Sequence, residues 1–270
     1  MPGIVDQSLD DVLYRLFDDA SGTLTVIGPS KGVIEELVDV GTDLENPPTM
    51  RLLAAETTLK DAVGDFLVAG RAADLIADDA LALRTVESPP GTDLVASERE
   101  VTALVVAGES AAALSTDDAG FVEHAGSFYA DAWEGAEAFS LRTPPLSRVR
   151  STLGEAMSPE VGEDFDAVLS SLETARGNGD GLDEVTISLL VAAKNEELLY
   201  DISKWGEDVG IASKATFSRT KTELEDLGLI DTEKVPIDVG RPRLRLKFGR
   251  EELSNASAED LAGVAQSLMA

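Results

Sequence analysis

One short segment of the sequence matches the pattern of a catalytic serine. Gly28-Pro29-Ser30-Lys31-Gly32 fits G-x-S-x-G and lies between a predicted strand and a predicted helix, where the nucleophile of an α/β hydrolase stands. Such a serine needs a base, and the only histidine, His124, precedes a helix rich in aromatic residues. Proline and lysine are unusual flanks for this turn, and no second oxyanion glycine motif is present. We therefore expect a tight turn, assign no catalytic residue and predict no enzyme activity.

The same turn has a second potential use, which is to hold an anion. Backbone N–H groups at a helix N-terminus bind phosphate or carboxylate groups, and the carboxyl ends of strands are where α/β folds bind ligands. We therefore predict that Ser30, Lys31 and Gly32 contact a small anionic effector. The chain has no cysteine and no motif for zinc, dinucleotides or a phosphate-binding loop, so no metal and no cofactor is predicted.

Two basic islands without any acidic residue predict contact with phosphates. The first basic island, Ile211 to Thr222, carries Lys214, Arg219 and Lys221. The second, Val239 to Arg250, carries five cations: Arg241, Arg243, Arg245, Lys247 and Arg250. Because basic patches on a protein attract nucleic-acid phosphates, these islands indicate a DNA-binding surface.

The chain as a whole is strongly acidic. Its 51 acidic residues against 22 basic ones give a formal net charge of −29 at pH 7. The acids are spread along the sequence and lysine is scarce, which is typical of proteins adapted to molar intracellular salt, where the Debye length falls to about 3 Å and surface repulsion is screened. A protein with cationic partners and no nucleic acid is the other interpretation that this charge allows.

The elements around the first basic island form a predicted helix-turn-helix. Asp183 is a predicted N-cap of one helix, a second helix ends near Gly210, and Ser213 is a predicted N-cap of a third. In the third helix, apolar residues face the core: Phe217, Leu224 and Leu227. Since the N-terminal part of this helix enters the major groove in such motifs, we expect base contacts from Thr216, Ser218 and Arg219, and phosphate contacts from Lys214 and Lys221.

The second basic island completes a predicted wing. Leu229 to Pro236 is a predicted strand, and Arg243 to Phe248 alternates basic and apolar residues with the period of a half-buried strand. The turn between them has a Gly-Arg-Pro-Arg tip, so Arg241, Arg243 and Arg245 are expected to hold phosphates or the minor groove. A winged helix-turn-helix therefore occupies residues 182–250, although some winged helices contact proteins instead of DNA.

The N-terminal residues, 1–145, alternate strands and helices, which predicts an α/β domain with a mainly parallel sheet. Close pairs of short apolar runs around Val95 and Val105 indicate an antiparallel portion. Leu59 to Ala77 is predicted as one helix. Another helix, Phe121 to Phe139, is expected to bury an aromatic stripe in the core: Phe121, Phe128 and Trp133.

Four segments resemble the TbsP-type transcription regulators of haloarchaea: TLTVIGPSKGVIEEL, HAGSFYADAWEGAEAF, ATFSRTKTELEDLGLI and VGRPRLRL. The N-terminal half also resembles the sensor domains of TrmB-like regulators, which have a phospholipase D-like fold. The catalytic H-x-K motif of that fold is absent here, so the resemblance implies a catalytically empty sensor or dimerisation domain. It also implies action on the promoters of metabolic genes.

The expected organisation is an α/β domain (1–145), a helical linker (146–181), the winged helix (182–250) and a C-terminal helix (251–270). Amphipathic helices around Val161 to Leu172 and Leu261 to Leu268 could form a homodimer or dock on the same chain. No membrane-length apolar run or signal peptide is evident, so a cytoplasmic regulator that binds double-stranded promoter DNA is predicted. The alternative is an α/β ligand-binding protein or hydrolase whose winged helix contacts a protein.

Overall fold

The computed structural model describes residues 4–6, 8–20, 22–172, 175, 182–236 and 242–269, with only the backbone described for 4–6. It divides into two compact units. Unit 1 comprises Met1–Gly64 and Arg71–Leu141, and unit 2 comprises Asp65–Gly70 and Arg142–Ala270.

Unit 1 is built around an eight-stranded sheet. Its strands are β1 (Ile4–Asp6), β2 (Thr23–Ile27), β3 (Thr49–Ala54), β4 (Leu81–Thr85), β5 (Asp93–Ala96), β6 (Val101–Ala107), β7 (Ser110–Thr116) and β8 (Glu137–Ala138). Their spatial order is β1-β7-β6-β5-β2-β3-β4-β8. Apolar side chains of the central strands, such as Leu24, Val26 and Leu52, are buried and form the core of the unit.

The sheet is mixed, and the prediction of a mainly parallel sheet is wrong. Only the pairs β2–β3 and β3–β4 are parallel, and the other pairs of neighbouring strands are antiparallel. The reason is that short turns join β5 to β6 and β6 to β7, and a short turn connects only antiparallel strands. The antiparallel portion expected around Val95 and Val105 is confirmed, since Val95 pairs with Thr102 and Val105 with Ala112.

Five helices accompany these strands: α1 (Leu9–Asp18), α2 (Lys31–Asp43), α3 (Glu56–Ala62), α4 (Phe66–Ala77) and α5 (Ala119–Gly135). The single helix predicted from Leu59 to Ala77 is divided between α3 and α4. Asp65 lies at the break, where its buried carboxylate accepts hydrogen bonds from the N–H groups of Leu67 (2.9 Å) and Ala175 (3.1 Å). This carboxylate satisfies the Leu67 N–H, which a continuous helix would pair internally, and it also binds the distant N–H of Ala175.

The prediction that α5 buries an aromatic stripe is wrong for two of the three residues. Trp133 is buried, and its ring is contacted by the guanidinium groups of Arg51 and Arg84. Phe121 and Phe128 are exposed, because the buried face of the helix consists of Val122, Ala125 and Trp133, and the two phenylalanines lie to one side of it.

Unit 2 contains seven complete helices and a hairpin within the described residues. They are α6 (Leu146–Ala156), α7 (Pro159–Ser170), α8 (Glu184–Lys194), α9 (Leu199–Val209), α10 (Lys214–Asp226), β9 (Ile230–Val235), β10 (Arg243–Phe248), α11 (Glu251–Ser254) and α12 (Ala258–Met269). Helices α8, α9 and α10 with the hairpin form the predicted winged helix. The predicted boundary around Gly181 lies outside the described residues.

The predicted helical linker is part of the core of unit 2. Leu153 of α6, Phe165 of α7 and Leu261 of α12 are fully buried in one cluster with the apolar residues of α8 and α10. The ring of Phe165 meets the ring of Trp205 edge-on at 6.4 Å, and the Trp205 indole donates a hydrogen bond to Thr152 Oγ1 at 3.1 Å. Of the two uses considered for the amphipathic helices, docking on the same chain is therefore the one observed.

A close contact inside this core gives a stability prediction. A Cβ added to Gly206 of α9 would lie 2.4 Å from the ring carbons of Phe217, which is fully buried in α10. Gly206→Ala should therefore destabilise the fold by about 1–3 kcal/mol, as overpacking does. Gly263→Ala in α12 is the control, because its Cβ would meet no atom within 4 Å. Unfolding in guanidinium chloride should lower the midpoint for the first variant only, and equal midpoints would contradict the packing.

Candidate nucleic-acid interface

Local capping chemistry fixes the two helices of the helix-turn-helix. Glycine at position 210 has a left-handed backbone (φ +98°) and ends α9. Ser213 then begins α10, with its hydroxyl oxygen accepting a hydrogen bond from the N–H of Thr216 at 3.2 Å. At α8, the Asp183 carboxylate accepts from the N–H of Thr186 at 2.7 Å. Both N-caps are as predicted from the sequence.

The buried face of α10 determines which residues it presents to solvent. Phe217 and Leu224 are buried, as predicted, and Ser218 and Arg219 are exposed in the first two turns. Leu227 was predicted to face the core and is exposed instead, because it caps the helix and the fully buried Leu229 takes the core position. The N-terminal half of α10 therefore presents hydroxyl and guanidinium groups on an open surface.

The wing is a hairpin that packs against α8 and α9. Strands β9 and β10 are antiparallel, with Leu246 opposite Thr232, and the Leu246 N–H donates to the carbonyl of Glu197 at 2.9 Å. Leu246 is fully buried, while Leu244 and Phe248 are half-buried. The predicted strand is confirmed, but its burial does not alternate regularly, because its three basic residues are half-buried as Leu244 and Phe248 are. The tip, residues 237–241, lies outside the described residues, and the predicted contact of Arg241 lies there with it.

Tyr200 is a residue of this surface that sequence reasoning missed. It is exposed at the start of α9, with the Arg243 guanidinium 4.2 Å and the Lys214 ammonium 5.9 Å from its ring centre. It therefore lies between the first residue of α10 and the first residue of β10. The sequence does hold an indication, since the buried positions Ile202, Trp205 and Val209 place Tyr200 on the other face of the helix.

Every lysine and arginine of α10 and β10 has a carboxylate within 4 Å. The pairs are Lys214–Glu207 (2.9 Å), Arg219–Glu223 (3.9 Å), Lys221–Glu225 (2.6 Å), Arg243–Asp201 (3.3 Å), Arg245–Glu196 (3.9 Å) and Lys247–Glu233. The hydrogen bond between Lys214 and Glu207 raises the pKa of the lysine and lowers the pKa of the glutamate, so this pair is fully ionised at neutral pH. These six cations thus each have a neutralising partner nearby.

These cations differ in how accessible they are. The Arg219 side chain is 73% exposed, and its contact with Glu223 is long. The Lys221 side chain is 12% exposed, and its partner Glu225 also accepts a hydrogen bond from the Thr232 hydroxyl at 2.8 Å. Glu225 therefore joins α10 to β9, and Lys221, half-buried beside it, has a geometry that favours a structural role over the predicted phosphate contact. Thr216 is half-buried, and its hydroxyl lies 3.0 Å from that of Ser213.

The predicted effector turn of unit 1 already holds a carboxylate of the protein. Asp93 accepts hydrogen bonds from the Ser30 N–H at 2.7 Å and from the Ser30 hydroxyl at 3.2 Å. Lys31 pairs with Glu35 at 2.9 Å, and space around Gly32 is open. An anion at this helix N-terminus would have to displace Asp93. Among the described residues, no group of acidic, histidine or cysteine side chains could hold a metal ion.

Family models match almost the whole chain. The description "Transcriptional regulator TbsP-like, N-terminal" matches residues 2–144, and "Transcriptional regulator TbsP-like, C-terminal HTH domain" matches residues 145–266. The chain belongs to the TbsP-like transcriptional regulators. The resemblance seen in the sequence is thereby confirmed, as is the combination of a mixed α/β domain with a C-terminal helix-turn-helix. This is a family of transcription regulators and not of enzymes.

Solved structures share weaker similarity with the chain. TrmBL2, described as an archaeal chromatin protein with a novel mode of DNA binding, is 13% identical, with a TM-score of 0.36 over 52% of this chain and 55% of its own. The phospholipase D family member Nuc from Salmonella typhimurium is 12% identical, with a TM-score of 0.36 over 51% of this chain and 98% of its own. The chain thus spans about half the length of TrmBL2. No curated protein matches it.

Within the described part of the chain, none of the helices combines the length and the apolar character needed to cross a bilayer.

Proposed function

We propose that the chain is a sequence-specific DNA-binding regulator that recognises promoters, in the cytoplasm of a halophilic archaeon. The observation that carries this proposal is the open N-terminal half of α10, where Arg219 and Ser218 are exposed and Lys214 shares the Tyr200 ring with Arg243 of the wing. An α-helix of this kind fits the major groove, where arginine pairs with the acceptor edge of guanine.

Each predicted contact has a proposed role. Thr216, Ser218 and Arg219 read base edges. Lys214, Arg243 and Arg245 hold phosphates or the minor groove, together with Arg241 of the Gly-Arg-Pro-Arg sequence, while Lys221 positions α10. Tyr200 joins this set, because its hydroxyl can donate to a phosphate between the two neighbouring cations.

The carboxylate partners limit binding to DNA of arbitrary sequence. When a phosphate approaches Lys214 or Arg243, it competes with Glu207 or Asp201 for the cation. The electrostatic attraction that normally supplies non-specific affinity is therefore reduced, and base contacts contribute a larger share of the binding free energy. This arrangement suits a protein that must select one site among many.

The proposal extends to assembly, regulation and targets. We propose a homodimer, because paired winged helices match palindromic sites. We further propose that unit 1 senses a small anionic effector through Ser30, Lys31 and Gly32, with Asp93 as the internal competitor that the effector replaces. Regulation of metabolic genes follows from the family resemblance.

Selection from a pool of random duplexes tests the DNA-binding proposal. The purified chain should enrich a defined sequence in molar KCl, and fluorescence anisotropy should then show tighter binding to that duplex than to a scrambled one. A pool without enrichment at any salt concentration would favour a wing that contacts protein.

Tyr200 provides a test of phosphate contact that involves no change of charge. Tyr200→Phe should weaken binding to preferred and scrambled duplexes equally, by about 0.5–1.5 kcal/mol for one hydrogen bond, and should leave the salt dependence unchanged. Tyr129→Phe, in unit 1, is the control. Anisotropy titrations with both duplexes distinguish the outcomes, since a loss confined to the preferred duplex would mean that Tyr200 reads a base instead.

A further inference from the structure

The exposed large hydrophobic side chains are concentrated in one part of unit 1. Of the seven that the described residues expose, five lie between residues 105 and 128: Val105 (46%), Val106 (46%), Leu114 (56%), Phe121 (50%) and Phe128 (62%). The other two, Tyr200 and Leu227, are in the winged helix. Clustered exposure of this kind marks an interaction site, because single exposed apolar residues are normally scattered.

The register of β6 and β7 places two of these residues on the same face of the sheet. Leu114 pairs with Ala103, and Val105 pairs with Ala112. Since side chains alternate along a strand, Val101, Ala103 and Val105 share a face, and Leu114 lies on it too. Val101 packs with Val122 and Ala125 of α5, so this is the face on which α5 lies. The helix covers the sheet as far as Val101 and leaves Val105 and Leu114 open.

Helix α5 contributes the other two residues. Phe121 and Phe128 are seven residues apart, which places them on one flank of the helix, beside its buried face. The Phe128 ring contacts Tyr129 edge-on at 5.2 Å, so its orientation is fixed within the unit. We use the term apolar face for Val105, Leu114, Phe121 and Phe128 together.

The charge of the surrounding chain indicates what covers this face. Residues 101–116 contain one charged residue, Glu109, in a chain whose net charge is −29. Two identical acidic chains repel each other wherever carboxylates meet, and like charges across an interface cost several kcal/mol. The strand part of the apolar face, with this single charged residue, is where a second copy can approach with little of this penalty, and a two-fold axis would pair the face with itself.

We propose that the apolar face is the self-association surface of the protein and that its occupant is the same face of a second copy. The proposal rests on the homodimer proposed above and specifies where the homodimer forms, in unit 1 and not through α7 or α12. DNA binding is a separate property, measured by anisotropy, so either proposal can fail without the other.

Sedimentation equilibrium of the full chain in molar KCl tests the proposal. The wild type should be a dimer, and the double variant Leu114→Thr/Phe128→Ser should raise the dissociation constant more than about tenfold, as loss of central interface residues does. Both positions are exposed, so folding should survive, which circular dichroism checks. Leu227→Ser, with an exposed residue of unit 2, is the matched control and should remain a dimer.

Cross-linking provides an independent measurement, because the chain has no cysteine. Phe121→Cys should give cross-linked dimers with a short bis-maleimide, whereas Glu56→Cys, on exposed α3, should give none. A monomeric wild type, or a double variant that still associates like the wild type, would overturn the proposal. A dimer that dissociates as expected yet binds no DNA would instead contradict the proposed function alone.

Discussion

Arg219→Ala is expected to remove much of the sequence preference of the protein. Arg219 lies in the second turn of α10 and is the most exposed cation of that helix. Its only recorded ion pair, with Glu223 at 3.9 Å, is long, so binding to DNA would break little. If it pairs with guanine, its loss should cost about 1–3 kcal/mol on the preferred duplex, which is about 5- to 150-fold in affinity. Binding to a scrambled duplex should change much less. Anisotropy titrations with the two duplexes measure this difference.

Lys60→Ala is the control for Arg219→Ala. Lys60 forms an exposed i,i+4 ion pair with Glu56, at 2.6 Å, on α3 of unit 1. Removing it changes the net charge by the same amount without touching the winged helix, and both duplexes should bind as they do to the wild type. If Arg219→Ala discriminates between duplexes as well as the wild type does, Arg219 does not read a base.

Removing two carboxylates should make the affinity for DNA higher at low salt and more strongly dependent on salt concentration. In Asp201→Asn/Glu207→Gln, Arg243 and Lys214 lose the partners that neutralise them. Each cation freed for a phosphate adds about −0.9 to the slope of log K against log [KCl]. Two such cations should therefore make affinity fall about 60-fold further than in the wild type over a tenfold rise in KCl. Scrambled duplexes should gain affinity as well, because the effect carries no sequence information.

Glu35→Gln/Glu56→Gln is the matched control for the carboxylate variant. Both glutamates pair with lysines on helices of unit 1, so the net charge changes equally in the unit that does not contain the winged helix. Its salt slope should stay close to that of the wild type. Equal slopes in the two double variants would show that total charge, and not the local pairing of Lys214 and Arg243, governs the salt dependence.

Local chemistry explains which parts of the interface can be predicted from sequence. A hydroxyl or carboxylate before a helix, as at Ser213 and Asp183, needs only its own neighbours to act as an N-cap. The basic and apolar alternation of residues 243–248 specifies a half-buried strand in the same way. These elements therefore appear where the sequence predicts them, with α10 beginning at the expected residue.

Tertiary context explains what the sequence cannot predict. The periodicity of α6 and α7 shows that one face is buried, but not that the covering surface is the winged helix itself. The partner of Arg243 is Asp201, 42 positions away, and no local pattern connects them. An acid-free basic island is for this reason not a free basic surface, because carboxylates outside the island, on α9, β9 and the last turns of α10 among others, pair with its cations.

The exposed phenylalanines of α5 are a second case in which sequence alone does not predict which molecule covers an apolar surface. Phe121 and Phe128 have the composition and spacing of a core stripe, yet Val122 and Ala125 supply the buried contacts of the helix. Periodicity identifies an apolar surface and leaves open whether the same chain or another molecule covers it.

The most direct test of the central claim is fluorescence anisotropy of the full chain with the selected duplex and with its scrambled counterpart, across a tenfold range of molar and submolar KCl. We predict tight binding to the selected duplex that persists into molar salt, and weak binding to the scrambled one throughout. The central claim would be contradicted if both duplexes bound with equal affinities that fell together as the salt concentration rose. That result would show attraction to phosphates without recognition of sequence.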